Sequence, residues 1–297
     1  MRITTKMMAK SMLATIQRNQ QAAAEKQLDI ATTKKVRRPS DDPGGILQIQ
    51  EFKVLISRNE QYLKNVNQYR GFVTGTTAAL DAITDDLQEA KNIAIQGGSD
   101  TVNAEARQSL ARHVDQLLDN IVDHGNARFK GRYLFGGTLT TGTKPFTRSG
   151  DVITYNGNTA DIQGNIGFDT KITYNKTGQS VFAPPGGVDI FSELVALKQG
   201  LESNDTTAIQ NAVDQLGGAI DQTISLSAEL GVVQERLTLT EQTIESDNIN
   251  LADFLSRIED TDVVEEIVNL QTLQNATSTA LRTLADVLQT SLVDFVR

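Results

Sequence analysis

The sequence predicts a mainly α-helical chain, a long antiparallel coiled-coil rod built from both chain ends with a small β domain inserted between its halves. Three observations carry this. Taken every seventh residue, Ile209, Leu216, Thr223, Leu230, Leu237, Ile244, Leu251 and Ile258 are aliphatic except for Thr223, with Val213, Ile220 and Leu255 among the companions that complete a three–four spacing. A second seam of the same spacing runs through Phe52, Leu55, Tyr62, Val66, Tyr69, Val73, Leu80, Ile83 and Leu87. Between Gly131 and Gly187 the period changes, and that stretch holds eleven glycines and three prolines. Aromatics make up only 5% of the 297 residues and tryptophan is absent, so a thick globular core is not the natural product of this composition.

Taken in order, residues 1–42 read as a thin amphipathic segment. Ile16, Ala23 and Ile30 recur at seven-residue intervals downstream of Ile3 and Met7, with mostly polar residues between. Pro39-Ser-Asp-Asp-Pro43 supplies caps and a proline suited to a first helical turn, opening a helical region over 43–131. Gly97-Gly98 ends its long helix, and a shorter one follows from about Val102 with Ala106, Leu110, Val114, Leu117 and Ile121 on one side. Residues 132–186 read as the inserted β domain. Asp151–Tyr155 is taken as a strand with its hairpin turn at Asn156-Gly157, and Lys171–Tyr174 repeats the pattern before Asn175. The insertion is expected to be removable across 135–185 without unfolding the helices. Helix returns over 187–260, where fifty residues would extend about 75 Å. Residues 261–297 carry the stronger terminal stripe: Ile267, Leu270, Leu281, Leu284, Leu288, Leu292 and Phe295. Neither terminal stripe has a partner nearby in sequence, and pairing with each other would cover both.

The formal charge of -9 argues against nucleic acid, which needs a basic surface. With no cysteine, disulfides, thiolate metal sites and cysteine nucleophiles are excluded. No run of about 18 apolar residues marks a membrane span, and the start lacks the apolar core of a cleaved signal. His113 and His124 lie too far apart on one helix to share a metal. The pairs Asp41/Asp42, Asp85/Asp86 and Glu265/Glu266 read as caps and solvated faces, and the basic run Lys34–Arg38 as a solvent loop or intersubunit contact. Asn-X-Thr triplets and glycine-rich turns carry no chemistry here. No nucleophile–base set, cofactor cradle or phosphate loop is present, so an enzyme is the least favoured class.

Several segments resemble the flagellin superfamily. Leu255-Ser-Arg-Ile-Glu-Asp-Thr-Asp262 with Val263-Val-Glu-Glu266 is similar to its C-terminal motif. Met1–Met8, Pro39–Pro43 and Gly131-Arg-Tyr-Leu-Phe-Gly-Gly137 resemble the hook–filament junction branch, although Lys34–Arg38 is more basic than that branch usually shows. The resemblance implies a structural subunit of the bacterial flagellum, exported through the flagellar type III apparatus. It would form a ring of identical subunits between a hook-side junction protein and flagellin on the filament side, with an export chaperone as a further partner and no cofactor. The terminal residues Ile3, Met7, Ile16, Ala23, Ile30, Ile267, Leu270, Leu281, Leu284, Leu288, Leu292 and Phe295 would carry assembly. Leu216, Leu230, Leu237, Ile244, Leu251 and Ile258 would form the seam of the helical domain. A short flagellin, or a soluble coiled-coil scaffold, are the readings left beside it.

Overall fold

The computed structural model describes the backbone of residues 5–295 and the side chains of residues 7–286. Seven helices and six short strands follow one another: α1 (Thr5–Thr32), α2 (Pro43–Gly97), α3 (Ala104–Gly125), β1 (Arg128–Phe129), β2 (Arg132–Tyr133), β3 (Phe146–Ser149), β4 (Val152–Tyr155), β5 (Gln163–Gly167), β6 (Thr170–Thr173), α4 (Gly178–Phe182), α5 (Ile190–Ser203), α6 (Thr206–Glu259) and α7 (Val263–Phe295). The chain is thus mainly helical with a small β insertion. Two compact units emerge, residues 1–58 with 247–297 and residues 59–246, and the division falls inside α2 and α6.

In the unit formed by both chain ends, α1 and α7 run antiparallel. Their shared line repeats at three–four spacing: Ile16 is buried, and Ala23 and Ile30 are half-buried along α1. On α7, Glu266 is buried and Leu270, Leu273, Thr277, Ala280 and Leu284 are half-buried. Asp42 caps α2, its Oδ1 accepting from Gly44 N at 3.0 Å, while Pro43 fills a helical position that needs no N–H. Farther along, Phe52 stacks on Phe254 at 6.1 Å between ring centroids.

In the other unit the remaining lengths of α2 and α6 pair antiparallel, Arg70 meeting Glu241 and Thr84 meeting Thr223, with α3 and α5 sharing their core. Val66, Val73, Leu80, Ile83 and Leu87 from α2 meet Leu216, Leu230 and Leu237 from α6 in one core, joined by Val114, Leu118 and Ile121 of α3 and by Leu194 and Leu197 of α5. Thr223, which interrupts the aliphatic series in the sequence, is fully buried and sits 3.0 Å from the Thr84 hydroxyl. A hydrogen bond there replaces a methyl contact.

The β insertion is three separate antiparallel hairpins, β1–β2, β3–β4 and β5–β6. Their turns precede the predicted positions. The β3–β4 turn lies at Gly150-Asp151, where Gly150 takes φ +62°, and β5–β6 turns at Phe168-Asp169, with Asp169 at φ +54°. The asparagines expected in turns brace the backbone instead. Asn156 N donates to Pro145 O at 2.7 Å, and the buried Asn175 side chain accepts from Ile162 N at 2.7 Å. Phe135, Phe146, Ile166, Tyr174 and Phe182 belong to the same core as the helices. Excision across 135–185 would therefore strip that core, contrary to the sequence-based expectation.

Candidate assembly surface and the clasp at its root

The chemistry of the terminal unit concentrates where α1 ends, α2 begins and α6 passes into α7. Glu259, 6% exposed, accepts from Lys34 Nζ at 2.6 Å and from Lys53 Nζ at 2.7 Å. Burial pushes its carboxyl up, but the two lysine hydrogen bonds outweigh this and hold it below the usual range. Around it the backbone closes a short ladder: Lys35 N donates to Glu259 O at 2.8 Å, and Thr261 N to Thr33 O at 3.0 Å. Thr33 takes φ +57°, turning the chain out of α1. Lys35 Nζ adds a bond to Arg257 O at 2.8 Å.

About two turns farther along the helices, Lys26 Nζ donates to Glu266 Oε1 at 2.9 Å. That hydrogen bond outweighs desolvation and raises the Lys26 pKa above its ordinary value. Arg37 Nη2 stands 2.9 Å from Asp29 Oδ1, in charge contact but outside hydrogen-bond geometry. Asp262 caps α7 through Val264 N at 2.9 Å, and Asp41 accepts from Arg37 N and Arg38 N at 3.1 and 2.9 Å. The basic run thus clamps the unit internally rather than forming a free loop, and Glu266 is a buried partner rather than a solvated face. The cross-chain bonds of this clasp could not be read from the sequence. The one available signal was a basic run in an acidic chain, with the complementary Glu259 some 220 residues away.

The predicted assembly residues divide. Ile16 is buried at 4% exposure, Ala23, Ile30, Leu270 and Leu284 line the α1–α7 contact, and Met7, Ile267 and Leu281 face outward. Ile3 and the side chains of Leu288, Leu292 and Phe295 lie outside the described residues. The outward set is extended by residues the sequence reading missed: Met8, Leu13 and Leu28 on α1, and Val264 and Val268 on α7 are all exposed. On α7 the exposed Val264, Ile267 and Val268 share a side distinct from the line packed on α1, and the exposed Leu281 flanks that line. Of the seam residues, Leu216, Leu230, Leu237 and Ile244 are buried, whereas Leu251 and Ile258 are half-buried. His113 pairs with Glu89 at 3.1 Å and His124 with Asp86 at 3.4 Å, and no acidic or histidine cluster suited to a metal occurs among the described residues.

Two family models match. The bacterial flagellin N-terminal helical region covers residues 3–140 and the C-terminal helical region covers residues 213–296. The flagellar filament 30.7 kDa core protein of Treponema maltophilum is 25% identical over 86% of this chain and 85% of its own length. Flagellar hook-associated protein 3 of Salmonella typhimurium is 24% identical over 80% of this chain and 81% of its own. Among solved structures, a candidate flagellar hook-associated protein from Vibrio parahaemolyticus superposes with a TM-score of 0.69 at 18% identity, covering 74% of this chain and all of that one. The two helical regions together span well over half of the residues, and the chain belongs to the flagellin family of structural, non-enzymatic proteins.

Proposed function

We propose that this chain is the adaptor between hook and filament of the bacterial flagellum, assembling as a ring of identical copies through its terminal segments, residues 1–42 and 261–297. The observation that carries assembly is the outward apolar set of the terminal unit. Once α1 and α7 have paired, Met7, Leu13, Leu28, Val264, Val268 and Leu281 still face solvent in a single copy. Apolar exposure on such scale marks a surface made for other protein. Covering each such side chain contributes about 1.5–3 kcal/mol, enough over several residues to drive polymerisation. The partners are other copies, a hook-side junction protein below and flagellin above, with a chaperone before export through the flagellar type III apparatus.

The junction position rests on Gly131-Arg-Tyr-Leu-Phe-Gly-Gly137, which resembles the junction branch, and on the relative that bears the hook-associated name. A second reading, a filament subunit, is favoured by the filament core protein of equal similarity. Labelled electron microscopy of isolated flagella separates the two. A single band where hook meets filament is the expected result, and label along the whole filament would establish the second reading. In cells carrying only a chain that ends at residue 277, hooks should form without stable filaments and flagellin should accumulate in the medium. Normal filaments there would overturn the adaptor reading.

A further inference from the structure

The β1–β2 hairpin presents an unusual concentration of charge for a chain of formal charge -9. Lys130 and Gly131 both take positive φ, +48° and +80°, making a tight two-residue turn. Around it Arg128, Lys130 and Arg132 are all exposed. Their partners are neutral. Arg128 lies over the Tyr133 ring at 4.1 Å, Lys130 over the Phe129 ring at 5.3 Å, and Arg132 Nε donates to Thr140 Oγ1 at 3.2 Å. Among the described residues none of the three has a carboxylate within ion-pair distance, although Arg and Lys elsewhere in the same unit do, as at Arg70–Glu241, Arg148–Asp115 and Lys198–Asp151.

The same unit carries the complementary feature on α2. Asp81, Asp85 and Glu89, at i, i+4 and i+8, form an exposed carboxylate row with no lysine or arginine partner among the described residues. Asp85 and Glu89 of this row line a groove of about 510 Å³ along α2 and α3, together with Asn92, Ile93, Leu110 and His113, while Asp81 lies one turn away and accepts from Ser227 Oγ at 3.4 Å. The excess negative field is felt nearby. Burial raises the Asp86 carboxyl, and Glu89 and Asp85 raise it further against the opposing effect of His124. The hairpin cannot fold onto this row within one copy. Phe129 packs edge-on against Phe72, at 6.4 Å between centroids. From Phe72 to Asp85 is about 20 Å along the helix, and the carboxylate row lies on roughly the opposite side of α2.

We infer that the basic β1–β2 turn of one copy seats in the acidic α2–α3 groove of the next, as a head-to-tail contact between copies. The inference rests on the reading that the chain assembles with itself. Two different patches on opposite sides of one unit make a heterologous interface, the kind that generates rings and helices rather than closed dimers. The offset along α2 would also stagger adjacent copies. Electrostatic pairing of this kind selects register and orientation more than it adds affinity.

The chain has no cysteine, so introduced thiols report cleanly. Cells would co-express two full-length versions with tags of different size, Lys130→Cys in one and Asp85→Cys in the other. Isolated flagella would then be oxidised and immunoblotted. The expected result is the mixed-tag cross-link several-fold above either same-tag product, falling roughly tenfold when Asp81→Lys and Glu89→Lys are added to the Asp85→Cys chain. A chain with Arg128→Glu, Lys130→Glu and Arg132→Glu should likewise lose incorporation, and combining it with Asp81→Lys, Asp85→Lys and Glu89→Lys should restore it. Normal incorporation without the mixed cross-link would overturn the contact while leaving the assembly reading intact. Capture of a different flagellar protein by the thiol of the Lys130→Cys chain would also overturn it. Absence of the wild-type chain from flagella would remove both.

Discussion

Replacing Glu259 by Gln tests whether the clasp holds the α1–α2 connection to the α6–α7 junction. The substitution keeps the shape and one acceptor oxygen but removes the charge that draws Lys34 and Lys53, at 2.6 and 2.7 Å. Hydrogen bonds to a charged group contribute about 1.5–3 kcal/mol each. The lysine side chains, however, are 41% and 47% exposed and regain water when released, so the net local loss should be about 1–2 kcal/mol. Native-state hydrogen exchange at Lys35 N and Thr261 N, the two amides of the adjoining ladder, reads it directly. Their protection should fall roughly 5–30-fold, while amides around Leu216 stay unchanged. The pH dependence has a definite sign. The folded carboxyl lies below its ordinary value despite burial, because the lysines favour its charged form. Its contribution is therefore fully present above the unfolded pKa of about 4.3 and is lost as pH falls through the lower folded value. Wild type and variant should differ at neutral pH and converge in acid. Equal protection at both amides at neutral pH would refute the clasp.

In the α2–α6 core, Leu237→Asp should lower stability by at least about 4 kcal/mol by placing a charge at a fully buried position. That corresponds to a fall in Tm of about 8–16 °C for a unit of this size. Gln234→Asp, at a half-buried companion position, should cost about 1 kcal/mol, and equal melting of the two variants would show the seam register to be wrong. Excision of 135–185 removes Phe146 and Phe182 from the helical core and should abolish cooperative melting of residues 59–246, followed by circular dichroism. A native-like melt would show that the helices close without the hairpins.

The parts of the fold legible in the sequence were those set by periodicity alone. Leu216, Leu230, Leu237 and Ile244 occupy buried positions because heptad spacing fixes which side of a long helix is covered. The ion pairs across these helices were not legible. Glu241 pairs with Arg70 from 171 residues away, a relation no local pattern contains. The hairpin turns were misplaced because an asparagine after a strand-like run signals a turn only when its side chain is not used elsewhere. The Asn156 side chain donates to Thr147 Oγ1 at 3.1 Å, and the Asn175 side chain accepts from Ile162 N at 2.7 Å. The motif Ser256-Arg-Ile-Glu-Asp-Thr-Asp262 could be matched to a family by its letters. What those letters do became physical only when Lys34 and Lys53 came to Glu259, Thr33 to Thr261, and Asp262 to the first amides of α7.

The terminal stripes show why periodicity stops short of assembly. The α7 sequence carries more apolar residues than one partner helix can cover: α1 takes Leu270, Leu273 and Leu284, and others of similar size are left over. The line against α1 runs through Glu266, Leu270, Leu273, Thr277, Ala280 and Leu284, half of it polar or small. Val264, Ile267, Val268 and Leu281 are left on the outside at 42–73% exposure. A helix optimised only to pair within its own chain would place its bulky aliphatics on the covered line, since each covered one contributes about 1.5–3 kcal/mol. The observed line is mixed, and its three leucines are supplemented by the ion pairs at Lys26–Glu266 and Lys34–Glu259, which fix register. On the proposed assembly, the apolar surface left outside would be covered only between copies. On this reading, Val268→Ser and Leu281→Ser should leave the monomer's melting within about 0.5 kcal/mol of wild type while depleting the chain from isolated flagella. If both variants instead unfolded the monomer and assembled normally when folded, the outer stripe would be part of the chain's own core and the division between pairing and assembling faces would fall.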